Sequence, residues 1–377
     1  MSDPSSNTTS SEQLSPKAKE SLEFLTSIIS SACDFKASDI HIRAGHQIMM
    51  RLDGRIRQVK GSPEMTDAMI ERMIFPLLSD HHLESFKRDS QVDLSLSDNE
   101  DNRVRVNMFK QLGQLAVVMR VIEKHIPTPD VLGLPAQVEG ISKMRQGLVI
   151  FCGATGSGKS TSMASLLNVI NHERYSHILT IEDPVEYIFT EKRCVISQRQ
   201  IGIDVPDFPM AMRAALREDP DIILMGEMRD PESIEIALTA AETGHLVFTT
   251  LHAPNSADAI TRMVSSFKGE AQATMRSKLA HNLRSIVTQR LLPKAEDEGR
   301  VVACEVFSVT PLARELIVDP SRIKEIKDLI KSGDKVEGML HFDKHLEELV
   351  NEEIITSEVA LKNASSATDL SLKLKGF

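Results

Sequence analysis

The spacing of apolar residues predicts an α+β region in the first third of the chain. Between residues 17 and 34 they recur at the spacing of one helical face, which predicts an amphipathic helix. Strand-like runs follow at 40–43, 48–52 and 55–59, and the Asp-Gly pair at 53–54 predicts a hairpin between the last two. This region is therefore expected to be built mostly from antiparallel strands.

The same region continues to residue 124. A helix is predicted over 67–78, and the runs 103–107 and 115–120 predict another antiparallel pair. Residues 1–16 are rich in Ser, Thr, Asn and Pro, which predicts a disordered tail. We therefore predict a first domain over 17–124.

The pattern changes after two closely spaced prolines, Pro127 and Pro129, which end regular structure and predict a linker over 125–140. Beyond the linker, apolar runs alternate with helical segments, as is typical of a parallel sheet with crossover helices. These runs are 148–152, 177–181, 222–225 and 246–250. We predict an α/β core over 141–310 and a helical C-terminal region over 311–377.

A glycine-rich segment between the first of these runs and a helical pattern fits G-x-x-x-x-G-K-[ST] at every defined position. Its residues are Gly153, Ala154, Thr155, Gly156, Ser157, Gly158, Lys159 and Ser160. Such a loop surrounds phosphate oxygens with backbone N–H groups at a helix N-terminus. The Lys159 ammonium reaches the β- and γ-phosphates, the Ser160 hydroxyl can bind Mg²⁺, and Thr161 lies beside them. The sequence thus predicts binding of ATP and Mg²⁺.

Polar residues follow three of the other apolar runs, at the sheet edge where the phosphate loop is expected. Glu182, Asp183 and Glu186 follow the second run, and Glu227 follows the third after a glycine. His245 and His252 stand at opposite ends of the fourth run. An acidic residue at a strand end is often only solvated or a helix cap. The order of these segments behind a phosphate loop instead favours a catalytic edge.

Composition and charge disfavour several other classes of protein. The net charge of −10, the absence of Trp and the presence of two Tyr disfavour nucleic-acid binding. Four scattered cysteines exclude a tetracysteine zinc ribbon and indicate a reducing compartment. Neither a signal peptide nor an apolar window of membrane-spanning length is evident. We expect a cytoplasmic protein that reaches a membrane through partners and does not insert into it.

The order of these motifs resembles that of the secretion-superfamily ATPases, the hexameric motors of type IV pili and type II secretion. The segments that carry the resemblance are 37–41, 153–160, 177–186, 216–222, 226–230 and 240–245. The closer similarity is to the pilus retraction branch, the PilT/PilU family, and the C-terminal segments 342–346 and 364–370 resemble PilU more than PilT. The resemblance implies a RecA-like P-loop ATPase domain with a parallel sheet, a smaller PAS-like α+β domain before it, and a helical C-terminus.

The resemblance also implies roles for individual residues. Glu186 would position or activate the attacking water, and Glu227 would act on the Mg²⁺ shell or the water. His245 and His252 would sense the γ-phosphate or a subunit interface. A further set, expected to act from a neighbouring subunit on the transferring phosphoryl group, is Arg103, Arg105 and Arg120. A site completed by a neighbour implies a ring.

The function that the resemblance implies is ATP-driven retraction of type IV pili at the inner membrane. The expected partners are further copies of this chain in a hexamer, an inner-membrane platform protein and a PilT-type ATPase. A pilus-extension or type II secretion ATPase is the main alternative, although such motors usually carry a tetracysteine zinc element. A nucleic-acid translocase and a nucleotide-binding regulator without hydrolysis remain as further alternatives.

Overall fold

The computed structural model divides the chain into two units, residues 1–124 and 125–377. It describes residues 16–52, 54–98, 102–122, 125–228, 230–296, 299–333 and 338–375. The predicted disordered tail lies outside the described residues except for Pro16, which begins the first helix. None of the helices in the described ranges combines the length and the apolar composition of a membrane-spanning segment.

The described part of the first unit contains a six-stranded antiparallel sheet in the order β3-β2-β1-β6-β5-β4. Its strands are β1 (Asp39–Arg43), β2 (Met49–Leu52), β3 (Arg55–Gln58), β4 (Gln91–Ser97), β5 (Arg103–Gln111) and β6 (Gln114–Ile122). Strands β2 and β3 pair as a hairpin, as predicted, although Asp53 of its turn lies outside the described residues. The predicted pairing of β5 with β6 is also confirmed.

Helices cover one face of this sheet. They are α1 (Pro16–Asp34), α2 (Asp67–Ile74), a short 3₁₀ helix (Phe75–Leu77) and α3 (Asp80–Asp89). Residues of α1 and α2 share a core with Ile40 and Ile42 of β1, whereas Asp39 and Arg43 alternate with these and point to the other face. One face of the sheet is therefore apolar and covered, and the other is polar.

The second unit is built on a seven-stranded sheet in the order β13-β12-β7-β11-β10-β8-β9, counted over its described residues. The strands are β7 (Gly147–Cys152), β8 (His177–Glu182), β9 (Val195–Gln200), β10 (Ile222–Met225), β11 (Leu246–Leu251), β12 (Leu283–Pro293) and β13 (Arg300–Ser308). All neighbours are parallel except β12 and β13. The four predicted parallel strands are confirmed as β7, β8, β10 and β11.

Helices pack on both faces of the second sheet and continue to the C-terminus. They are α4 (Pro129–Leu132), α5 (Ala136–Glu139), α6 (Lys159–Glu173), α7 (Phe208–Ala215), α8 (Pro231–Glu242), α9 (Ser256–Ser265), α10 (Ala271–Asn282), α11 (Pro311–Val318), α12 (Ile326–Ser332), α13 (Phe342–Asn351), α14 (Ser357–Asn363) and α15 (Ala367–Leu374), with 3₁₀ turns at Gly140–Lys143 and Ile323–Glu325. Alternate residues of β7 enter two different cores, with Leu148 and Ile150 in one and Val149 and Phe151 in the other. Because both faces of β7 are buried, its sequence is a continuous apolar run.

The segment 125–140, for which the sequence predicts a linker, lies within the second unit. Its Ile126, Leu134 and Val138 are buried in the core beside α6. At the other end of the unit, α13, α14 and α15 form a small bundle with its own apolar cluster, which includes Phe342, Leu346 and Leu370. Leu292 of β12 and Ala303 of β13 belong to the same cluster, so the bundle packs against this end of the sheet.

Candidate active site

The glycine-rich loop connects β7 to α6, and its conformation requires glycine at particular positions. Gly153 has φ 143°, and a Cβ there would lie 2.5 Å from Ser157 Oγ and 2.6 Å from the carbonyl oxygen of Gln289. Gly158 has φ 88° and precedes the first residue of α6. Such backbone angles are readily adopted only by glycine. The loop therefore turns closely around the start of the helix, as a phosphate-binding loop does.

Lys159 is the first residue of α6, and its side chain folds back over the loop. Its Nζ donates to the carbonyl oxygens of Gly153, at 2.9 Å, and Ala154, at 2.8 Å. Burial lowers the pKa of Lys159, and the nearby Cys152 and Glu227 oppose that shift. The ammonium is thus held at the mouth of the loop by neutral oxygens, which an anionic phosphate can replace at lower free energy.

Hydroxyl groups surround the same helix terminus. Ser157 Oγ is buried and, in the part of the chain that the structure describes, has no hydrogen-bond partner. Ser160 is the second residue of α6 and is half-buried, and Thr161 Oγ1 accepts a hydrogen bond from the Tyr187 hydroxyl at 3.0 Å. A buried donor without a partner is costly, so Ser157 is prepared for a phosphate oxygen.

A cavity of about 510 Å³ opens beside the loop. Its lining residues are Gly153, Ala154, Thr155, Gly156, Ser157, His252, Ala253, Pro254, Thr288, Gln289, Arg290, Leu291 and Arg300. The motif did not identify the residues contributed by β12 and the start of β13. Gln289 is fully buried and donates to Ser162 Oγ at 3.0 Å, so it fixes α6 against β12. Nothing in the sequence distinguishes Gln289, because its burial becomes evident only in the structure.

The acidic and histidine segments converge on this edge, because β8, β10 and β11 end there in parallel with β7. His252 Nε2 lies 3.4 Å from Glu227 Oε1, across the ends of β11 and β10. Thr250 Oγ1 donates to the Gly226 carbonyl oxygen at 2.6 Å and so fixes the loop before Glu227. The structure therefore brings Glu227 and His252 together near Lys159, as the strand-end argument predicted.

Glu182 and Glu186 occupy different environments at the end of β8. Glu182 is 7% exposed, and its Oε2 accepts a hydrogen bond from the backbone N–H of Glu186 at 3.4 Å. Burial raises the pKa of Glu182 to about 7, although that backbone N–H opposes the shift. Glu186 is exposed on the following turn. Of the two, Glu186 is the one whose carboxylate is accessible to water and nucleotide.

His245 does not belong to this edge. It immediately precedes β11, and its carbonyl oxygen accepts from the N–H of Gly147, the first residue of β7. Its Nδ1 lies 2.9 Å from the carbonyl oxygen of Ala240 in α8. The length of the six-residue strand β11, about 20 Å, separates His245 from His252. The strand therefore places His245 at the sheet edge opposite the phosphate loop, away from the Lys159 side chain that is expected to contact the nucleotide.

The three predicted arginines lie on the polar face of the sheet in the first unit. Arg105 and Arg120 are directly opposite each other on β5 and β6, and Arg103 lies two residues before Arg105. Arg120 Nε donates to Asp39 Oδ1 at 3.0 Å, and Arg105 Nε lies 3.6 Å from Asp93 Oδ1. Carboxylates thus hold two of these guanidinium groups in an array on one face. Arg229, in the segment after Glu227, lies outside the described residues.

Comparison with known proteins relates this chain to secretion and pilus ATPases. The model of the family described as type II/IV secretion system protein matches residues 16–373. The PilT retraction ATPase of Pseudomonas aeruginosa is 39% identical over 340 residues, which are 90% of this chain and 98% of PilT. The PilU ATPase of the same species is 36% identical over 338 residues, 90% of this chain and 88% of PilU. These two identities do not support the closer similarity to PilU that short C-terminal segments predicted.

A solved structure of similar shape agrees with this relationship. The crystal structure of the pilus retraction motor PilT with bound ADP has a TM-score of 0.84 and 37% sequence identity to this chain. The match covers 92% of this chain and 98% of that one. The predicted fold, a RecA-like α/β domain with an α+β domain before it and a helical C-terminus, is thereby confirmed.

The environment of Glu182 predicts how stability depends on pH. Its carboxyl has an ordinary pKa of 4.5 in the unfolded chain and about 7 in the folded one, so the folded protein disfavours the charged form. The cost of that buried charge grows as pH rises from 4.5 to 7 and is complete above 7. Glu182→Gln removes this cost. The free energy of unfolding of the variant, relative to that of wild type, should therefore rise by about 2–3 kcal/mol as pH goes from 5 to 8.

Thermal unfolding of nucleotide-free wild type and Glu182→Gln at pH 5 and at pH 8 measures this change in relative stability. Glu242→Gln, which alters an exposed carboxyl at the end of α8 and does not contribute to the shift of Glu182, is the control and should show no comparable change with pH. An equal difference between Glu182→Gln and wild type at both pH values would contradict the burial of a charge at this position.

Proposed function

The chain belongs to the type II/IV secretion system protein family, and on this premise we propose that it is an ATPase motor that drives retraction of type IV pili. The observation that carries the proposal is the match to nearly the whole length of the PilT retraction ATPase, 98% of it. The phosphate loop, Lys159, Glu227 and His252 at one sheet edge supply the chemistry that ATP hydrolysis requires. Retraction removes pilin subunits from the base of the pilus and supports twitching motility.

In this proposal, the residues at the sheet edge that carries the phosphate loop have different roles in hydrolysis. The loop N–H groups, Lys159 and Ser157 bind the phosphates and hold the γ-phosphoryl group in place. Glu186 orients the attacking water and accepts its proton, while the phosphoryl group leaves ADP for the water oxygen. His252, paired with Glu227, reports whether the γ-phosphate is present.

The residues at the loop also fit Mg²⁺. Ser160 offers a hydroxyl at the start of α6, and Glu227 offers a carboxylate at the neighbouring strand end. No larger cluster of metal-binding side chains occurs among the described residues. Mg²⁺ in nucleotide sites needs only one or two protein ligands, since phosphates and water complete its shell. When bound there, it would neutralise charge on the phosphates.

We further propose that the active unit is a hexameric ring. Arg103, Arg105 and Arg120 would clamp the phosphoryl group of a neighbouring subunit, for which their array on the polar face of the sheet is suited. His245, at the edge of the sheet away from the phosphate loop, would then sense an interface rather than its own nucleotide. The ring would act in the cytoplasm on an inner-membrane platform protein, alone or beside a PilT-type ATPase.

Two substitutions separate nucleotide binding from hydrolysis. Lys159→Ala should abolish measurable ATP binding, because it removes the charge that contacts the ground-state phosphates. Glu227→Gln should retain ATP binding within a few-fold and lose turnover by at least about a hundredfold, since the neutral amide keeps the shape but not the charge. Equilibrium binding and phosphate release measure the two effects. Turnover near the wild-type rate in Glu227→Gln would remove this residue from the reaction.

The retraction role is tested in living cells with fluorescently labelled pili. Deleting the gene should leave extension intact and reduce retraction events, and the Glu227→Gln chain should fail to restore them. Wild-type chain returned to the same cells is the control. Cells that make no pili would indicate an extension motor, and unchanged retraction in a strain that also lacks a PilT-type ATPase would contradict the proposal.

A further inference from the structure

Arg290 lines the nucleotide cavity but belongs to none of the sequence motifs of the site. It lies on β12 directly after Gln289, whose side chain bonds to Ser162 of α6. Its ladder partner on β13 is Ala303, which belongs to the apolar cluster of the C-terminal bundle. Because successive residues of a strand point to opposite faces, Gln289 faces α6 and Arg290 faces α13, α14 and α15, while both residues line the cavity.

The guanidinium group of Arg290 is held by the bundle. Its Cζ lies 4.5 Å from the centre of the Phe342 ring, at the first residue of α13. Its Nη1 donates to the carbonyl oxygen of Asn363, the last residue of α14, at 2.8 Å. One contact is a cation–π interaction and the other is a hydrogen bond to a neutral oxygen, so an anion can compete with both.

The same two places in the bundle are joined by a second residue. Asp343, next to Phe342, accepts hydrogen bonds from the backbone N–H groups of Ser365 at 2.6 Å and Ser366 at 2.9 Å. Arg290 and Asp343 thus together fix the junction between α14 and α15 to the start of α13. If Arg290 released the carbonyl oxygen of Asn363, the hydrogen bonds to Asp343 would be the remaining one of these two connections at the junction.

We propose that Arg290 is a further nucleotide-binding residue, which exchanges its contacts with Phe342 and Asn363 for the phosphates of the bound nucleotide. The inference rests on the proposed function only in requiring that the cavity binds a nucleotide. A guanidinium binds phosphate through charge-assisted, paired hydrogen bonds, which are stronger than one bond to a neutral carbonyl. Nucleotide binding and the hold on the α14–α15 junction therefore oppose each other.

Because coupling between two equilibria is reciprocal, substitutions of Arg290 and of its partner Phe342 should change the affinity for nucleotide in opposite directions. Arg290→Met removes the cation and should raise the dissociation constant for ADP about tenfold, as expected for one charge-assisted hydrogen bond. Phe342→Leu keeps the cation and removes its competing partner, so it should lower the dissociation constant about two- to fivefold. In the Arg290→Met background, Phe342→Leu should have no further effect, since the arginine it frees is absent.

The experiment is titration of the full-length protein with a fluorescent ADP analogue and Mg²⁺. Arg284→Met is the matched control, because Arg284 is a half-buried arginine of the same strand that donates to the His281 carbonyl oxygen and does not line the cavity. Its affinity should equal that of wild type. Circular dichroism and the unfolding midpoint show whether each variant folds. If Phe342→Leu does not fold, Phe342→Met removes the ring instead.

Each result decides the proposal. Unchanged affinity in Arg290→Met overturns nucleotide contact by this residue, although nucleotide binding itself then survives. Weaker binding by Phe342→Leu, or the same effect of Phe342→Leu with and without Arg290, overturns the exchange and indicates a general loosening of the bundle. Failure of the wild-type protein to bind the analogue at all overturns the nucleotide site and the proposed function together.

Discussion

The ammonium of Lys159, bound between the carbonyl oxygens of Gly153 and Ala154, is the interaction on which the rest of the site depends. It is possible because Gly153, at φ 143°, packs directly against Ser157 and Gln289, where no side chain fits. Gln289 in turn bonds to Ser162 and fixes α6 against β12. The cation, the helix N-terminus and the cavity wall are thereby held in one preformed arrangement, which keeps the ordering cost of nucleotide binding low.

Parallel strand order explains why residues distant in the sequence meet at this loop. Strands β8, β10, β11 and β7 end at the same edge, so the residues after each strand lie at the edge that carries the phosphate-binding loop. The two glutamates after β8 show that position alone does not assign a role. Glu182 is buried, with a pKa raised to about 7, whereas Glu186 is exposed and accessible to water. The buried carboxyl anchors the turn that presents the exposed one, through the N–H of Glu186.

Much of this arrangement could be predicted from the sequence, and the exceptions have physical causes. Continuous apolar runs predicted β7, β8, β10 and β11, because strands covered on both faces bury every residue. Strand β12 was not predicted, since its Thr288 and Gln289 interrupt the pattern, and both are buried polar residues that line the cavity. The resemblance gave His245 and His252 the same role, although the sequence already places them at opposite ends of one strand, and β11 indeed separates them by its full length. Local rules identified the phosphate loop but were least informative at the cavity wall from β12, where buried polar residues depart from the apolar pattern of a core strand.

The central claim is that a glycine-dependent, preformed loop binds the nucleotide, and calorimetric titration of MgADP against two alanine variants tests it most directly. Gly153→Ala places a Cβ 2.5 Å from Ser157 Oγ, whereas Gly202→Ala, also at a positive φ of 81°, meets no atom within 4 Å and lies outside the site. The account predicts that Gly202→Ala binds MgADP as wild type does and that Gly153→Ala, although folded, shows no measurable binding. Wild-type affinity in Gly153→Ala would contradict it.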